Sequence, residues 1–320
     1  MARRQEKERT KTSNVRCSQK RKNRIQQMRV AVVGFGMMGR QIAQVFAQHG
    51  HEIKATDPYP EALKAGMVEI ENGPYGLKAA VAKGKLSMEE MQRALTRIHT
   101  TSSIQETCKD ADLVIEAAIE ELKLKKELFG QLDSATQSTA LLASNTSTIS
   151  ITKIAEQAKH KQRILGLHFF NPAQVTKLVE VVRGEETSHD AVSSALDIVR
   201  LIGKTPIIAK DEPGFVANRL GLTLYMEASR MLEDQVADIK DIDNSMKLAY
   251  GHPMGPFETA DLVGLDTRLR NLESLYQTTG DTKCLPPKSL REMVNHGYIG
   301  DRARKKESKG GYYEYINIGH

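Results

Sequence analysis

The sequence predicts an α/β fold with a doubly wound, mostly parallel sheet, followed by an all-α domain at the C-terminal end. Between residues 28 and 210, short apolar runs of strand length alternate with segments of helical periodicity. Such alternation is typical of a parallel sheet covered by helices on both faces. After about residue 211, strand patterns nearly vanish and amphipathic helical patterns replace them. We therefore predict domains at 28–210 and 211–320, preceded by a basic extension at 1–27.

The first domain opens with a strand, a glycine-rich loop, a helix and a second strand. Residues 28–33 form an apolar run, the glycines follow at once, and the next segment is apolar at helical spacing until Gly50. The second strand alternates and ends at Asp57. The apolar residues that define this helix and this strand are Ile42, Val45, Phe46, Ile53 and Ala55.

The same alternation continues to the end of the first domain. A helix follows Ser87, because Glu90 three residues later completes a capping box. The remaining predicted strands are at 112–117, at 140–143, in the two runs around His168 and Glu180, and at 206–209, with helices at 122–132 and 188–202. In the second domain, apolar residues recur at helical spacing over 220–232 and 239–248.

The composition is that of a soluble globular protein. The chain has 320 residues, of which 40% are hydrophobic and 27% charged, which suits about two domains with a sizeable core. No apolar run approaches the ~20 residues of a membrane-spanning helix, so we expect no membrane association. Cys17, Cys108 and Cys284 lie far apart and form no C-x-x-C motif. We interpret them as free thiols and expect a cytoplasmic protein.

The formal net charge of +6 is unevenly distributed along the chain. Residues 1–28 contain ten Lys/Arg and two Asp/Glu, whereas the remainder contains 36 against 38. This basic segment has almost no large apolar residues, so we expect it to be disordered, and it lacks the apolar core of a secretory signal. We favour a solvated extension, or a true first residue at Met28. An arm for nucleic acid or a membrane surface is the alternative, although we expect no nucleic-acid partner.

The loop after the first strand has the spacing of a dinucleotide-binding site. Gly34, Gly36 and Gly39 follow a strand and open a helix, and Asp57 lies 21 residues past Gly36. The glycines would let the backbone approach a pyrophosphate at the positive end of the helix. Asp57 would bind ribose hydroxyls and repel a 2′-phosphate, which favours NAD, although Arg40 leaves a small opening for NADP. The cofactor residues predicted here are Gly34, Gly36, Met37, Met38, Gly39 and Asp57.

His168 and Glu180 lie in two apolar, strand-like runs. A buried ionisable group must be paired, and a histidine that faces a carboxylate satisfies this rule. The carboxylate also fixes the histidine tautomer and stabilises the imidazolium, which makes the histidine a positioned general base. Alone, His168 would more often be a core residue, but downstream of a nucleotide loop the pair predicts a dehydrogenase.

The other histidines do not suggest a second site. No pair of histidines has convincing metal-ligand spacing, and hydride transfer to NAD needs no metal, so we predict no metal site. The histidines interpreted as surface residues in polar surroundings are His49, His51, His99, His160 and His189.

Two polar segments allow both a structural and a functional interpretation. Residues 144–148 follow a strand, and they form either a helix cap or a hydroxyl-rich edge at the carboxyl end of the sheet, where ligands bind. Residues 211–219 lie at the predicted domain junction. Their Pro-Gly pair either breaks the chain or positions Asn218 to face a cleft.

Together, these segments resemble the 3-hydroxyacyl-CoA dehydrogenase family over about residues 28–315, in order. The His-Phe-Phe-Asn-Pro and Pro-Met-Gly-Pro sequences are specific to the family, whereas the glycine loop is not. The matching segments are 34–39, 112–117, 144–147, 167–172, 177–181, 213–219, 251–258 and 261–266.

The resemblance implies a Rossmann-like NAD-binding domain and a helical domain that contacts substrate and forms a homodimer. It implies NAD-dependent oxidation of a short-chain 3-hydroxyacyl-CoA in fatty acid β-oxidation or butanoate metabolism, and the reverse reduction of acetoacetyl-CoA. His168 and Glu180 would be the acid–base dyad, and His168 would take the proton of the 3-hydroxyl group. Ser147 and Asn218 would contact the substrate oxygens. The residues implied near the cofactor are Glu120, Lys125, Ser147 and Asn171.

The chain departs from the family pattern in three places, one of which is the glycine-rich, aromatic ending at 300–312, which is enlarged. Residues 173–176 differ from the usual stretch after Asn-Pro, which leaves the acyl chain length open. Residues 72–85 match poorly where the family contacts CoA; there Lys78 and Lys83 would either meet CoA phosphates or form a solvated helix face, and we predict Lys83 as a substrate contact. Two alternatives stay open: a dehydrogenase of free hydroxy acids or sugar acids such as gulonate, and a non-catalytic binding or structural protein.

Overall fold

A computed structural model describes residues 27–300 and 307–316 and divides the chain into two compact units, 1–211 and 212–320. The predicted disordered extension at 1–27 lies outside the described residues except for Gln27.

The first unit is built on a single eight-stranded sheet. Its strands are β1 (Arg29–Val33), β2 (Glu52–Thr56), β3 (Ile98–Thr101), β4 (Leu113–Glu116), β5 (Leu141–Ser144), β6 (Ile164–Phe169), β7 (Leu178–Arg183) and β8 (Thr205–Lys210). They lie in the order β3-β2-β1-β4-β5-β6-β7-β8. All neighbours are parallel except β6 and β7, so the last two strands run opposite to the first six.

Helices connect these strands. They are α1 (Met37–Gln48), α2 (Pro60–Asn72), α3 (Leu77–Ala82), α4 (Met88–Thr96), α5 (Ile104–Cys108), α6 (Leu122–Ala135), α7 (Ile151–Ile154) and α8 (His189–Leu201). The predicted capping box of α4 is confirmed, since Ser87 Oγ accepts a bond from Glu90 N at 3.1 Å and Glu90 Oε2 accepts one from Ser87 N at 2.8 Å.

The core of the first unit fixes the strand end from which the glycine loop begins. Val30 and Val32 of β1 and Ile42 and Phe46 of α1 are each at most 1% exposed and belong to one apolar cluster. Burying each such side chain stabilises the fold by about 1.5–3 kcal/mol. The connection between β1 and α1 is therefore anchored at both ends.

The second unit is helical, with no strand among its described residues. Its helices are α9 (Ala217–Glu233), α10 (Ile239–Tyr250), α11 (Pro256–Val263), α12 (Leu265–Thr279), α13 (Lys288–Asn295) and α14 (Tyr312–Ile316). Tyr225, Phe257 and Tyr312 are at most 2% exposed and pack ring to ring. The hydroxyls of Tyr225 and Tyr312 are 2.6 Å apart, which satisfies both polar ends inside this core.

The predicted fold class is confirmed, but the sequence patterns missed several elements. In the first unit the patterns missed the strand β3 and the helices α2, α3 and α5, and in the second unit they missed the helices α11, α12, α13 and α14. β3 is one of the two edge strands, and only Ile98 of its four residues is buried, so it has no apolar run to detect.

His51 is not a surface residue, so that prediction was wrong. The side chain is 2% exposed, its Nδ1 accepts a bond from Met28 N at 3.2 Å, and the Phe46 ring packs against it. Burial, together with the nearby His49 and Arg97, lowers the pKa of His51 to about 4. Polar neighbours in sequence gave the wrong impression, because His51 lies just before β2 and is buried by Phe46 and by the main chain of Met28, contacts that exist only in the fold.

Candidate functional site

The glycine loop connects β1 to α1 near the centre of the sheet. Gly34 has φ +91°, a conformation that favours glycine, and a Cβ there would lie 2.7 Å from the Ala117 carbonyl group. A Cβ on Gly39 would lie 1.9 Å from the Gly34 carbonyl oxygen. These two glycines therefore allow the loop, the end of β4 and the first turn of α1 to pack closely.

Gly36 has a different role, because it faces open space. It is the N-cap of α1, no side chain caps this helix, and nothing lies within 4 Å of the position where a Cβ would be. The first N–H groups of α1 thus have no capping side chain at the positive end of the helix dipole. Met37 is 51% exposed and Met38 is half-buried in the same turn. This arrangement fits a pyrophosphate.

Asp57 follows β2 and lies beside the glycine loop. Its Oδ2 accepts a bond from Phe35 N at 2.7 Å, and its Oδ1 accepts one from Tyr59 N at 3.0 Å. Each carboxylate oxygen retains a lone pair that could accept a ribose hydroxyl, while a 2′-phosphate would be repelled. Arg40 lies 3.9 Å from Glu69, so its charge is partly balanced. These residues fit NAD.

His168 and Glu180 face each other across β6 and β7. The antiparallel register pairs the two residues directly, and they are 4% and 0% exposed. His168 Nδ1 lies 2.7 Å from Glu180 Oε2. Because a carboxylate can only accept, Nδ1 carries a proton, and in the neutral imidazole Nε2 presents a lone pair. The ring of Phe170 packs beside the imidazole, with centroids 4.3 Å apart.

Ser147 reaches the other nitrogen of the same imidazole. Its Oγ lies 3.1 Å from His168 Nε2. Ser147 belongs to the loop after β5, and Asn145 in this loop accepts a bond from Phe169 N at 2.9 Å through its Oδ1. The structure thus brings together Ser147, His168 and Glu180. The fourth predicted catalytic residue, Asn218, is half-buried on α9 in the second unit.

Glu120 and Lys125, predicted near the cofactor, form one network with the loop that carries Ser147. Lys125 Nζ lies 3.4 Å from Glu120 Oε2 and 2.6 Å from Glu116 Oε1. Glu120 Oε1 accepts bonds from Thr146 Oγ1 at 2.5 Å and from Ser147 N at 2.9 Å. Glu116 was not predicted as a site residue, although an acid that ends an apolar strand was the available signal.

Asn171 is held by a residue that the sequence prediction missed. Gln41 on α1 donates to Asn171 Oδ1 at 3.0 Å and accepts from Ala173 N at 2.8 Å. Gln41 is 8% exposed, so a polar side chain on the buried face of α1 was the available signal. The glycine-loop helix and the segment after His168 are thereby joined by side-chain bonds.

Lys83 lies away from these networks. It is exposed at the C-cap of α3, whereas Lys78 is bound to Asn72 at 2.8 Å and to Glu71 at 2.9 Å. Residues 27–300 and 307–316 contain no group of three or more His, Cys, Asp or Glu side chains that could hold a metal ion. Within the same ranges, every helix is too short or too polar to cross a membrane.

Two family models match almost the whole chain. The model described as 3-hydroxyacyl-CoA dehydrogenase, NAD binding domain, matches residues 29–212. The model described as 3-hydroxyacyl-CoA dehydrogenase, C-terminal domain, matches residues 214–315.

Individual proteins give the same result. The chain is 40% identical over 288 residues to a probable 3-hydroxybutyryl-CoA dehydrogenase of Deinococcus radiodurans, covering 90% of this chain and 100% of that protein. It is 39% identical over 286 residues to a protein of the same name from Bacillus subtilis, covering 89% and 96%. The crystal structure of FadB2 from M. tuberculosis superposes with a TM-score of 0.83 at 38% identity, covering 89% of this chain and 98% of that one.

Proposed function

The chain belongs to the 3-hydroxyacyl-CoA dehydrogenase family and is an NAD-dependent oxidoreductase, and from that premise we propose that it interconverts a short-chain 3-hydroxyacyl-CoA and the corresponding 3-ketoacyl-CoA. The observation that carries this proposal is the position of His168 between Glu180 and Ser147, with Nδ1 2.7 Å from the carboxylate and Nε2 3.1 Å from the hydroxyl.

The proposed mechanism assigns proton transfer to His168. Its Nε2 lone pair takes the proton of the 3-hydroxyl group, and Glu180 stabilises the imidazolium that results. Glu180 is fully buried, so its negative charge acts on the imidazolium with little screening by water. In the direction of reduction, the imidazolium returns the proton to the forming hydroxyl group.

Ser147 orients the reacting oxygen in this proposal. A hydroxyl can donate and accept at the same time, so Ser147 could bond the substrate oxygen while it stays near His168 Nε2. We propose that Asn218 also contacts a substrate oxygen, as the family resemblance implies. Both contacts would fix the reacting carbon relative to the base and the cofactor.

The residues that would hold NAD are proposed from their position and chemistry. When bound, the cofactor would supply a hydride acceptor as NAD for oxidation at C3, and a hydride donor as NADH for the reverse reduction. The first turn of α1 beside Gly36 would take the pyrophosphate, and Asp57 would take the ribose hydroxyls. The remaining proposed cofactor contacts are Gly34, Met37, Met38, Gly39, Glu120, Lys125, Ser147 and Asn171.

The substrate class and the assembly are also proposals. The names of the Deinococcus and Bacillus relatives support a four-carbon acyl-CoA, and Lys83 would meet a CoA phosphate. We further propose residues 28–210 as the NAD-binding domain, residues 211–320 as a substrate and dimerisation domain, and a cytoplasmic homodimer active in β-oxidation or butanoate metabolism.

The first experiment is NADH oxidation at 340 nm with acetoacetyl-CoA, beside acetoacetate as the free acid and gulonate with NAD. Turnover with the thioester alone is expected, because a CoA-binding site gains affinity from the part of the substrate that does not react. Turnover with only a free acid would instead establish a hydroxy-acid or sugar-acid dehydrogenase. NADH binding without any turnover would support a non-catalytic protein.

A further inference from the structure

Glu116 is a buried carboxylate that the proposed mechanism does not use. It is 0% exposed at the last position of β4. Its Oε1 accepts bonds from Lys125 Nζ at 2.6 Å and from Ala118 N at 2.7 Å, and its Oε2 accepts one from Ser144 Oγ at 2.6 Å. An ionised group at this depth costs several kcal/mol unless it is paired, so this site is built around the charge of Glu116.

The lysine that pairs with Glu116 is shared with a second carboxylate. Lys125 is 1% exposed and lies 2.6 Å from Glu116 but 3.4 Å from Glu120, whose side chain is 40% exposed. The closer bond with Glu116 therefore holds the ammonium group inside the unit. Glu120 is attracted to it through Oε2 only, which leaves Oε1 directed at the loop after β5.

Glu120 Oε1 holds the loop after β5, which carries Ser147. Glu120 Oε1 accepts bonds from Thr146 Oγ1 at 2.5 Å, from Ser147 N at 2.9 Å and from Thr148 N at 3.2 Å. The main chain of Glu116 acts on the same loop, since its carbonyl oxygen accepts from Asn145 N at 2.8 Å. Two connections from Glu116 thus converge on the segment that places Ser147 beside His168.

We propose that Glu116 is a positioning residue for the proposed dehydrogenase reaction: through Lys125 and Glu120 it holds Ser147 in contact with His168 Nε2. This inference rests on the proposed function. Removing the charge of Glu116 would leave Lys125 with Glu120 as its single carboxylate partner. Glu120 would then turn toward the ammonium group, and the bonds that fix Ser147 would weaken.

The test is a double-mutant cycle with Glu116→Gln, Ser147→Ala and both together. We expect Glu116→Gln to lower kcat about tenfold in the wild-type background, within the range for residues of one hydrogen-bond network, and less than about twofold in the Ser147→Ala background. Equal effects in the two backgrounds would mean that Glu116 supports the fold alone. Glu127→Gln, an exposed position on the same helix as Lys125, is the control and should leave kcat unchanged.

A second measurement separates this proposal from the proposed function. The ¹⁵N NMR signal of His168 Nε2 in the protein without substrate, assigned with His168→Gln, reports the Ser147 contact without turnover. Glu116→Gln should move this signal as Ser147→Ala does, even if acetoacetyl-CoA proves not to be a substrate; an unmoved signal would overturn the role of Glu116. If Glu116→Gln does not fold, Glu116→Asp keeps the buried charge but withdraws the carboxylate from Lys125 Nζ, and the same cycle and the same signal decide.

Discussion

The imidazole of His168 has two different neighbours, and they assign different tasks to its two nitrogens. Glu180 fixes the proton on Nδ1, and the lone pair on Nε2 is therefore directed toward Ser147. A general base needs a neutral imidazole with one unprotonated nitrogen, and in this tautomer that nitrogen is Nε2. The burial of Glu180 makes this tautomer strongly preferred.

Replacing His168 by Gln should remove the base and keep the shape. We expect kcat to fall by about 10²–10⁴-fold, the usual scale for lost acid–base catalysis, with NADH binding preserved because the glycine loop is untouched. Stopped-flow measurement of NADH oxidation and fluorescence titration of NADH check the two parts. His189→Gln, at an exposed position, should be silent; wild-type turnover in His168→Gln would contradict the assigned role.

Two alanine substitutions in the glycine loop should have opposite consequences. In Gly36→Ala the new Cβ lies in open space, and the φ of −65° suits alanine, so the thermal midpoint of unfolding should stay within about a degree of the wild type. The dissociation constant of NADH should rise about tenfold, because the Cβ enters the space proposed for the pyrophosphate.

Gly39→Ala places a Cβ 1.9 Å from the Gly34 carbonyl oxygen, so overpacking should cost about 1–3 kcal/mol of unfolding free energy. Calorimetry and NADH titration of both variants distinguish the effects. A stable Gly39→Ala with normal NADH affinity would contradict the packing described here.

At the scale of elements, the register between β6 and β7 creates the acid–base pair. An antiparallel neighbour brings Glu180 opposite His168, whereas a slip of one residue would bring a valine there instead. The apolar runs in the sequence were sufficient to predict both strands and the pair. Their relative direction was not predicted, because a short connection between two strands does not show in an alternation of strands and helices.

The short helix α14 docks on two carboxylates of the second unit. Asp261 accepts bonds from Tyr312 N at 2.9 and 3.0 Å, and Asp243 accepts one from the Tyr313 hydroxyl at 2.7 Å. Burial raises the pKa of Asp261 to about 7, and the charges of Glu314 and Asp243 act in the same direction, while the backbone donors of Tyr312 and Tyr313 oppose it. The carboxyl group of Asp261, on which α14 docks, therefore titrates near neutral pH.

This acid predicts a pH dependence of stability with a defined sign. The folded state holds the Asp261 proton up to about pH 7, whereas an unfolded aspartic acid loses it near pH 4. The stabilisation is thus fully present below pH 4 and is lost as the pH rises to 7. Asp261→Asn should remove this decrease, which we expect to be on the order of 1–3 kcal/mol. Urea unfolding at several pH values gives the free energy of unfolding of both proteins. The same dependence of this free energy on pH in the wild type and in Asp261→Asn would contradict the prediction.

At the scale of the whole molecule, charge and chemistry occupy different parts of the chain. Residues 1–27 carry ten Lys/Arg and two Asp/Glu, and the rest carries 36 against 38. The candidate site of the first unit lies wholly among described residues beyond this segment. The positive charge of the chain is therefore separate from the residues proposed to bind NAD and to move the proton.

Deleting residues 1–27 should reverse the net charge and leave catalysis intact. The truncated protein, with 36 basic against 38 acidic residues, should bind an anion exchanger at pH 7, whereas the full chain should bind a cation exchanger. We expect kcat and KM with acetoacetyl-CoA within about twofold of the full chain. A large increase in KM would mean that the basic segment takes part in binding the CoA phosphates.

The sequence allowed prediction of those features that depend on local pattern. Gly34, Gly36, Gly39 and Asp57 follow from spacing along one strand-loop-helix-strand unit, and the capping box of α4 follows from the spacing of Ser87 and Glu90. Gln41 was missed because its partners in the segment 171–173 are distant in sequence and a glutamine carries no pattern of its own. Glu116 was missed because its importance comes from four bonds that exist only in the folded sheet.

The reversal of chain direction between β6 and β7 also bears on how such enzymes diversify. The dyad sits on one hairpin, where its neighbours in register, Leu167 with Val181 and Phe169 with Val179, are buried apolar pairs. Since alternate side chains point to opposite faces, exchanging two positions would change the proton chemistry while those pairs stay intact. The strands and the glycine loop proposed to bind the nucleotide would stay unchanged, and a new reaction could arise by substitution of the two dyad residues alone.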